Sequence, residues 1–161
     1  MIIREAIGSD YEALCDLFDQ ADTFHRNFLP QIFRKPEGFS RDRDYVDNLL
    51  TDVNVGFFVA EIDQRLVGLV CCFIRETPEI PILVPRKYLY IDNLIVDVSH
   101  RCQGVGTALL EKAHRWAVQN GIYEIELNVW QFNDEAIRLY EKLGYEIVTL
   151  RMSKQIKQTQ T

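Results

Sequence analysis

Two glycines one residue apart, Gly104 and Gly106, stand between an apolar run and an amphipathic one, and this junction constrains everything around it. The run before it, Tyr90 to Val96, reads as a buried strand. After it, Val105, Ala108, Leu109, Lys112/Ala113, Trp116 and Ala117 recur at helical spacing, so one stripe of that helix should face a sheet. The turn between, His100-Arg101-Cys102-Gln103-Gly104-Val105-Gly106-Thr107, has no evident packing role. Glycines let a backbone approach a ligand closely, and the first N–H groups of a helix lack intrahelical partners. The positive end of the helix dipole and the charge of Arg101 act in the same direction, so the turn points to an anion site. A strand-to-helix connection in which glycine only relieves strain is the other reading. There is no Gly-Lys-Ser/Thr of a P-loop, and no third glycine at the dinucleotide-fold spacing.

With 161 residues the chain fits one domain with a core of its own. A net charge of -6 disfavours nucleic acid as a partner, because phosphate contacts need a basic face. Cys15, Cys71, Cys72 and Cys102 show no CxxC spacing and form no ligand cluster with His25, His100 and His114. They are expected as reduced, buried thiols, with Cys71 and Cys72 on opposite faces of a strand and no metal site. No apolar run reaches spanning length and the amino terminus reads directly as a strand, so a cytoplasmic protein away from membranes is expected.

Met1 to Ala6 alternates as a strand, and a helix follows with Ser9 as its expected cap and Tyr11, Leu14, Cys15 and Phe18 as its apolar stripe. Ala21 to Ser40 reads as the helix end plus an irregular loop, either a substrate-contacting lid or a flap over the core. Asp42 to Leu50 is a short helix, and Val55 to Ile62 and Arg65 to Ile74 are strands joined in a hairpin at Asp63-Gln64. Glu76 to Pro85, with three prolines, is a loop; Lys87 to Val96 is the next strand. Gly121 closes the long helix, Tyr123 to Val129 is a strand, Asn133 to Leu143 a helix capped by Gly144, and Tyr145 to Leu150 a final strand. The polar segment 154–161 is a frayed tail, leaving 1–153 as the domain. The order β-α-α-β-β-β-α-β-α-β predicts a single α/β (α+β) domain with a mixed, mostly antiparallel sheet and helices on both faces.

The string Val96-x-x-x-x-Arg101-x-x-Gly104-x-Gly106 resembles the pyrophosphate-binding motif of the GNAT superfamily of N-acetyltransferases, and the element order is similar to the GNAT order. The resemblance implies acetyl-coenzyme A as cosubstrate. It implies a binding set of Leu94, Ile95, Val96, Arg101, Cys102, Gln103, Gly104, Val105, Gly106 and Thr107, with backbone groups of Leu94 and Val96 pairing with the pantetheine arm. Asn133 to Tyr145 resembles the downstream GNAT motif N-x-x-A-x-x-x-Y-x-k-x-G-F/Y, which adds Asn133, Ala136 and Tyr140 to that set. In the family the matching tyrosine protonates the leaving thiolate, and the asparagine contacts the pantetheine or pyrophosphate. Read without the family, the segment is a capped amphipathic helix with Ala136, Ile137, Tyr140 and Leu143 in the core.

Acetyl transfer from a thioester to an amine expels a thiolate, whose acid has a pKa of about 8.5, near enough to a phenol at about 10 for a tyrosine to protonate it. The amine arrives as an ammonium of pKa about 10.4 and must lose a proton to a carboxylate or a water chain. Asp92, a charge in the apolar run Tyr88-Leu89-Tyr90-Ile91, is the candidate base; a salt bridge to Arg86 or Lys87 is its structural alternative. Glu124 and Glu126 are fallback bases. Tyr90 to Val96 is similar to the acidic segment of diamine acetyltransferases, but Asn93 stands where a second acid belongs, against polyamine specificity. Direct attack in a ternary complex leaves Cys102 no role as nucleophile. The expected function is acetyl-CoA-dependent N-acetyl transfer to a small-molecule or peptide amine, chosen by Phe24 to Phe39 and Thr77 to Lys87. The alternative is an acyl-CoA-binding sensor without turnover. Any oligomer is expected to be a homodimer, the commonest arrangement.

Overall fold

The computed structural model describes residues 1–156 and divides into two units, Met1–Asn128 and the segment from Val129 onward. The first unit is built on one sheet of order β1-β2-β3-β4-β5, with β1 Ile2–Glu5, β2 Val55–Ile62, β3 Arg65–Glu76, β4 Lys87–Val96 and β5 Ile125–Leu127. The first four strands pair antiparallel and β5 joins β4 in parallel, as the α3 crossover requires. The expected hairpin turns at Asp63 and Gln64, both in the left-handed region that matches strand twist.

Helices α1 (Tyr11–Phe28) and α2 (Arg43–Thr51) cover one face of the sheet. Leu14, Leu17 and Phe18 of α1 and Val46 and Leu49 of α2 meet Phe57, Val59, Leu69, Cys71 and Ile95 there. The expected cap Ser9 lies inside a short 3-10 turn; Asp10 stands at the N-cap position of α1 without a side-chain cap bond, its carboxylate instead accepting from the Ile7 N–H at 2.9 Å at the start of that turn while Arg4 grips it. Asp42 caps α2 through the Tyr45 N–H at 2.8 Å.

Helix α3 (Val105–Gln119) lies on the opposite face, with Val105, Gly106, Leu109, Leu110, Ala113 and Ala117 buried. It can come close because β2 and β3 present glycines to it. A Cβ on Gly68 would stand 3.0 Å from Leu109 and 3.1 Å from Val105, and one on Gly56 would stand 2.9 Å from Trp116. Cys71 and Cys72 do fall on opposite faces, Cys71 in the α1–α2 cluster and Cys72 with its thiol on the Gly56 carbonyl. Burial pushes the Cys72 thiol up to about 12. Cys102 departs from the expectation of buried thiols and is exposed, because its turn leaves the sheet.

The strand expected over Tyr123 to Val129 shrinks to Ile125–Leu127, since its pairing with β4 runs only from Leu89↔Ile125 to Ile91↔Leu127. In the second unit α4 (Asp134–Lys142) begins at its Asn133 cap and stops at Gly144, φ +86°. No residue of α4 is fully buried, so Ile137 and Leu143, expected in the core, are half-buried. Among the described residues α4 is the one helix or strand of its unit. Tyr145 to Leu150 is not a strand: no ladder partner exists for it among the described residues, and Ile147 and Leu150 are exposed. The tail expected over 154–161 lies outside the described residues from 157 onward.

Candidate active site

Strand β4 carries one residue more than its partner. Cys71 pairs with Asn93 and Cys72 with Ile91, so Asp92 is the extra residue of a β-bulge. The bulge reverses the direction of the backbone groups beyond it. Before it, the Leu89 N–H donates at 2.9 Å to the carbonyl of Glu124, the residue preceding β5; after it, the Asp97 N–H donates to the Val67 carbonyl of β3 at 2.9 Å. Alternation then directs the backbone groups of Leu94 and Val96 to the β5 side and those of Ile95 to β3. On that side β5 pairs no further than Ile91, so this stretch of edge has no strand partner among the described residues. Of the three expected cofactor-contacting residues here, Leu94 and Val96 face the open edge. Ile95 turns the other way, its side chain 6% exposed in the α1–α2 cluster.

The open edge leads into the turn. Asp97 organises its first half: Oδ1 accepts from the Ser99 N–H at 3.0 Å and meets His100 Nδ1 at 3.0 Å, with the Ser99 hydroxyl on the same oxygen. Oδ2 accepts from Nε2 of Gln20, on α1, at 2.9 Å, and Gln20 Oε1 accepts from the Val98 N–H at 3.2 Å. The Ser99 hydroxyl, then His100 and Gln20, hold the Asp97 carboxyl well below the usual carboxylate range. Ser99 and His100 thus share one oxygen of Asp97 in a capping turn, with the Ser99 hydroxyl also 2.9 Å from His100 Nδ1.

The second half of the turn approaches α3. Arg101 Nε donates to the Val96 carbonyl at 3.4 Å, and its guanidinium lies 5.7 Å from the Phe24 ring centroid. Gln103 Nε2 donates back to the Ser99 carbonyl at 3.0 Å. Cys102 (φ +56°) and Gly104 (φ +83°) adopt left-handed backbone, and a Cβ on Gly104 would meet nothing within 4 Å. No side chain caps α3, so the Val105, Gly106 and Thr107 amides stand at an uncapped helix start. Val105 and Gly106 are buried and can offer only backbone there.

Asp92 is exposed beside the bulge, where Asn93 Nδ2 donates to its Oδ2 at 2.6 Å. The salt-bridge alternative does not hold. Arg86 binds Glu124 at 2.7 Å and Glu126 at 2.6 Å, and Lys87 stands 3.8 Å from Glu76. The same pairs engage both fallback bases. Tyr45 of α2, which sequence reading passed over, feels the Asp92 charge: desolvation, then Cys71 and Asp92, push its phenol up.

In the second unit the Asn133 carboxamide oxygen accepts from the Ala136 N–H at 3.2 Å, so the motif's asparagine is also the cap of α4. Tyr140 makes an edge contact with Tyr145, ring centroids 5.5 Å apart. Desolvation pushes the Tyr140 phenol up to about 12.

The family model described as Acetyltransferase (GNAT) family matches residues 15–145. An uncharacterized N-acetyltransferase, MJ1207 of Methanocaldococcus jannaschii, is 32% identical over 89% of this chain, which spans 60% of that protein; for human N-acetyltransferase 8 the figures are 28%, 64% and 44%. The uncharacterized N-acetyltransferase YhfO of Bacillus subtilis is 32% identical, with 91% of this chain and 90% of that one covered. Among solved structures, the tetramutant of the BH1408 protein from Bacillus halodurans superposes with a TM-score of 0.91 at 26% identity, covering 97% of this chain and 100% of that one. The aminoglycoside N-acetyltransferase AAC(6')-Iy in complex with CoA shares the fold at a TM-score of 0.72 and 17% identity, over 97% and 99% of the two chains. On the family match over residues 15–145 and the likeness to YhfO along nine-tenths of both chains, the chain belongs to the acetyltransferase (GNAT) family.

Proposed function

We propose that the chain is an acetyl-coenzyme A-dependent N-acetyltransferase in which a primary amine, of a small molecule or a peptide, attacks the thioester directly in a ternary complex. The observation that carries this reading is the bulge at Asp92, which turns backbone groups of Leu94 and the Val96 N–H toward an edge that runs into the uncapped start of α3. Those features fit a thioester on a diphosphate-bearing arm. Gly104 adopts its left-handed conformation without strain and leaves space where a side chain would project. The amides of Val105, Gly106 and Thr107, with Arg101 beside them, hold the diphosphate, while Cys102 and Gln103 shape the turn.

Acetyl-CoA supplies the activated carbonyl. A backbone amide on the open edge of β4 stabilises the oxygen as charge develops on it. Asp92 takes the ammonium proton, directly or through water, and Asn93 orients its carboxylate. Tyr140 donates its proton to the leaving thiolate, while Asn133 and Ala136 set the start of the helix that carries it. A phenol near 12 keeps its proton throughout the neutral range. It is a weaker acid than an ordinary tyrosine, but a thiolate expelled where water is excluded is a stronger base, so the two shifts offset each other. The buried thiols of Cys15, Cys71 and Cys72 support a reducing, cytoplasmic setting, and no described helix is long and apolar enough to cross a membrane. The domain spans 1–153, around the family match.

The test is calorimetric binding of acetyl-CoA, followed by thiol release across a panel of aminoglycosides, polyamines, amino acids and peptides. Binding with amine-dependent thiol release supports the enzyme; binding with no release by any amine returns the chain to an acyl-CoA sensor.

A further inference from the structure

We infer that Gln20 is a positioning residue for acetyl-CoA: its carboxamide, on a helix 77 positions away in sequence, sets where the diphosphate-binding turn begins. The inference rests on the function proposed above. Gln20 makes two hydrogen bonds of opposite sense to consecutive residues, donating to Asp97 Oδ2 at 2.9 Å and accepting from the Val98 N–H at 3.2 Å. Only a neutral amide does both. A carboxylate at this position faces Asp97 with like charge, and a hydrocarbon leaves a backbone donor and a carboxylate oxygen without their partner.

The same helix holds the turn a second time. Phe24 is one helical turn beyond Gln20 and lies under Arg101 at 5.7 Å, so α1 meets the segment near both of its ends. Between those points the turn closes on itself, through Ser99 and His100 on Asp97 and Gln103 on the Ser99 carbonyl. The start of α3 is therefore placed relative to β4 by α1 as well as by the sheet. Hydrogen bonds from backbone amides to a diphosphate weaken steeply with misalignment, so a small shift of the turn lowers affinity for the cosubstrate. Neither Gln20 nor Asp97 takes part in the acyl transfer proposed above. The effect belongs in acetyl-CoA affinity and not in turnover at saturation.

The test uses Gln20→Met, Gln20→Glu and the double variant Gln20→Glu/Asp97→Asn, which exchanges donor and acceptor. In the double variant the new amide donates to one oxygen of the new carboxylate, and the Val98 N–H donates to the other, so the geometry is restored with the charge moved. Calorimetry should give a Kd for acetyl-CoA weakened about tenfold in Gln20→Met, about 1.4 kcal/mol, and by more in Gln20→Glu. The double variant should return to within about threefold of wild type. The acceptor KM, kcat at saturating acetyl-CoA and circular dichroism should change little. A double variant no better than Gln20→Glu, or a Gln20→Met that binds like wild type, overturns the inference and leaves the acetyltransferase reading standing. A wild-type protein that does not bind acetyl-CoA overturns both.

Discussion

The amide hydrogens of Leu89, in β4, and of Asp97, the residue just past its end, point to opposite edges, although the two are an even number of positions apart and a regular strand would direct both the same way. The one-residue bulge at Asp92 accounts for the reversal. It also moves the side chains: Ile95 joins the α1–α2 cluster, whereas Ile91 pairs with Cys72, outside it. A single extra residue thus decides which backbone groups of β4 face the edge that β5 leaves open past Ile91.

Proline scanning reads this directly. Leu94→Pro removes an N–H that faces the open edge, so the fold should persist while acetyl-CoA binding falls at least about tenfold. Ile95→Pro removes an N–H directed at β3 and should lower stability by about 3 kcal/mol or more. Thermal melts and calorimetry on the two variants check the contrast; equal stability losses would place the bulge elsewhere.

Asp92→Asn should keep acetyl-CoA affinity and lower kcat with a good amine by about 10²-fold or more, the usual contribution of a general base. The loss should shrink as the assay pH is raised and more of the amine arrives neutral. A variant with wild-type turnover would move the base role to another group.

Tyr140→Phe should bind acetyl-CoA normally and release thiol about 10²-fold more slowly. In the wild type, a phenol raised to about 12 stays protonated well into the alkaline range, so this group imposes no alkaline decline in kcat below about pH 11. A steep decline near pH 9 would contradict the assignment.

Asp97 links the turn to stability in acid. Its folded carboxyl, held low first by Ser99 and then by His100 and Gln20, loses its proton more readily than the unfolded one at about 3.9. The stability it contributes is complete above about pH 4 and declines as pH falls further. Melts of Asp97→Asn between about pH 6 and about pH 3 should therefore vary less than those of the wild type.

What the sequence made legible was local. The hairpin at Asp63-Gln64, the stop at Gly144 and the Gly104–Gly106 turn each depend on a few adjacent residues, and each stands where composition and spacing put it. The bulge at Asp92 was not legible, because it exists only in the register between β3 and β4. Nor was Gln20, which reads as one more polar residue on a helix until the fold brings Asp97 to it. The strand expected over Tyr145 to Leu150 failed for a related reason: apolar residues say which way a chain can face, but a strand also requires a neighbour. Gly56 and Gly68 carried a usable signal, since isolated glycines inside strand patterns mark close approach of another element.

Arg86 clasps Glu124 and Glu126 at the same end of β4 where Leu89, Tyr90 and Ile91 pair with β5. Among the described residues the two strands are therefore fastened at one end only, so the Arg86 end of β4 is the anchored one and the stretch past Ile91 is left to whatever pairs with it.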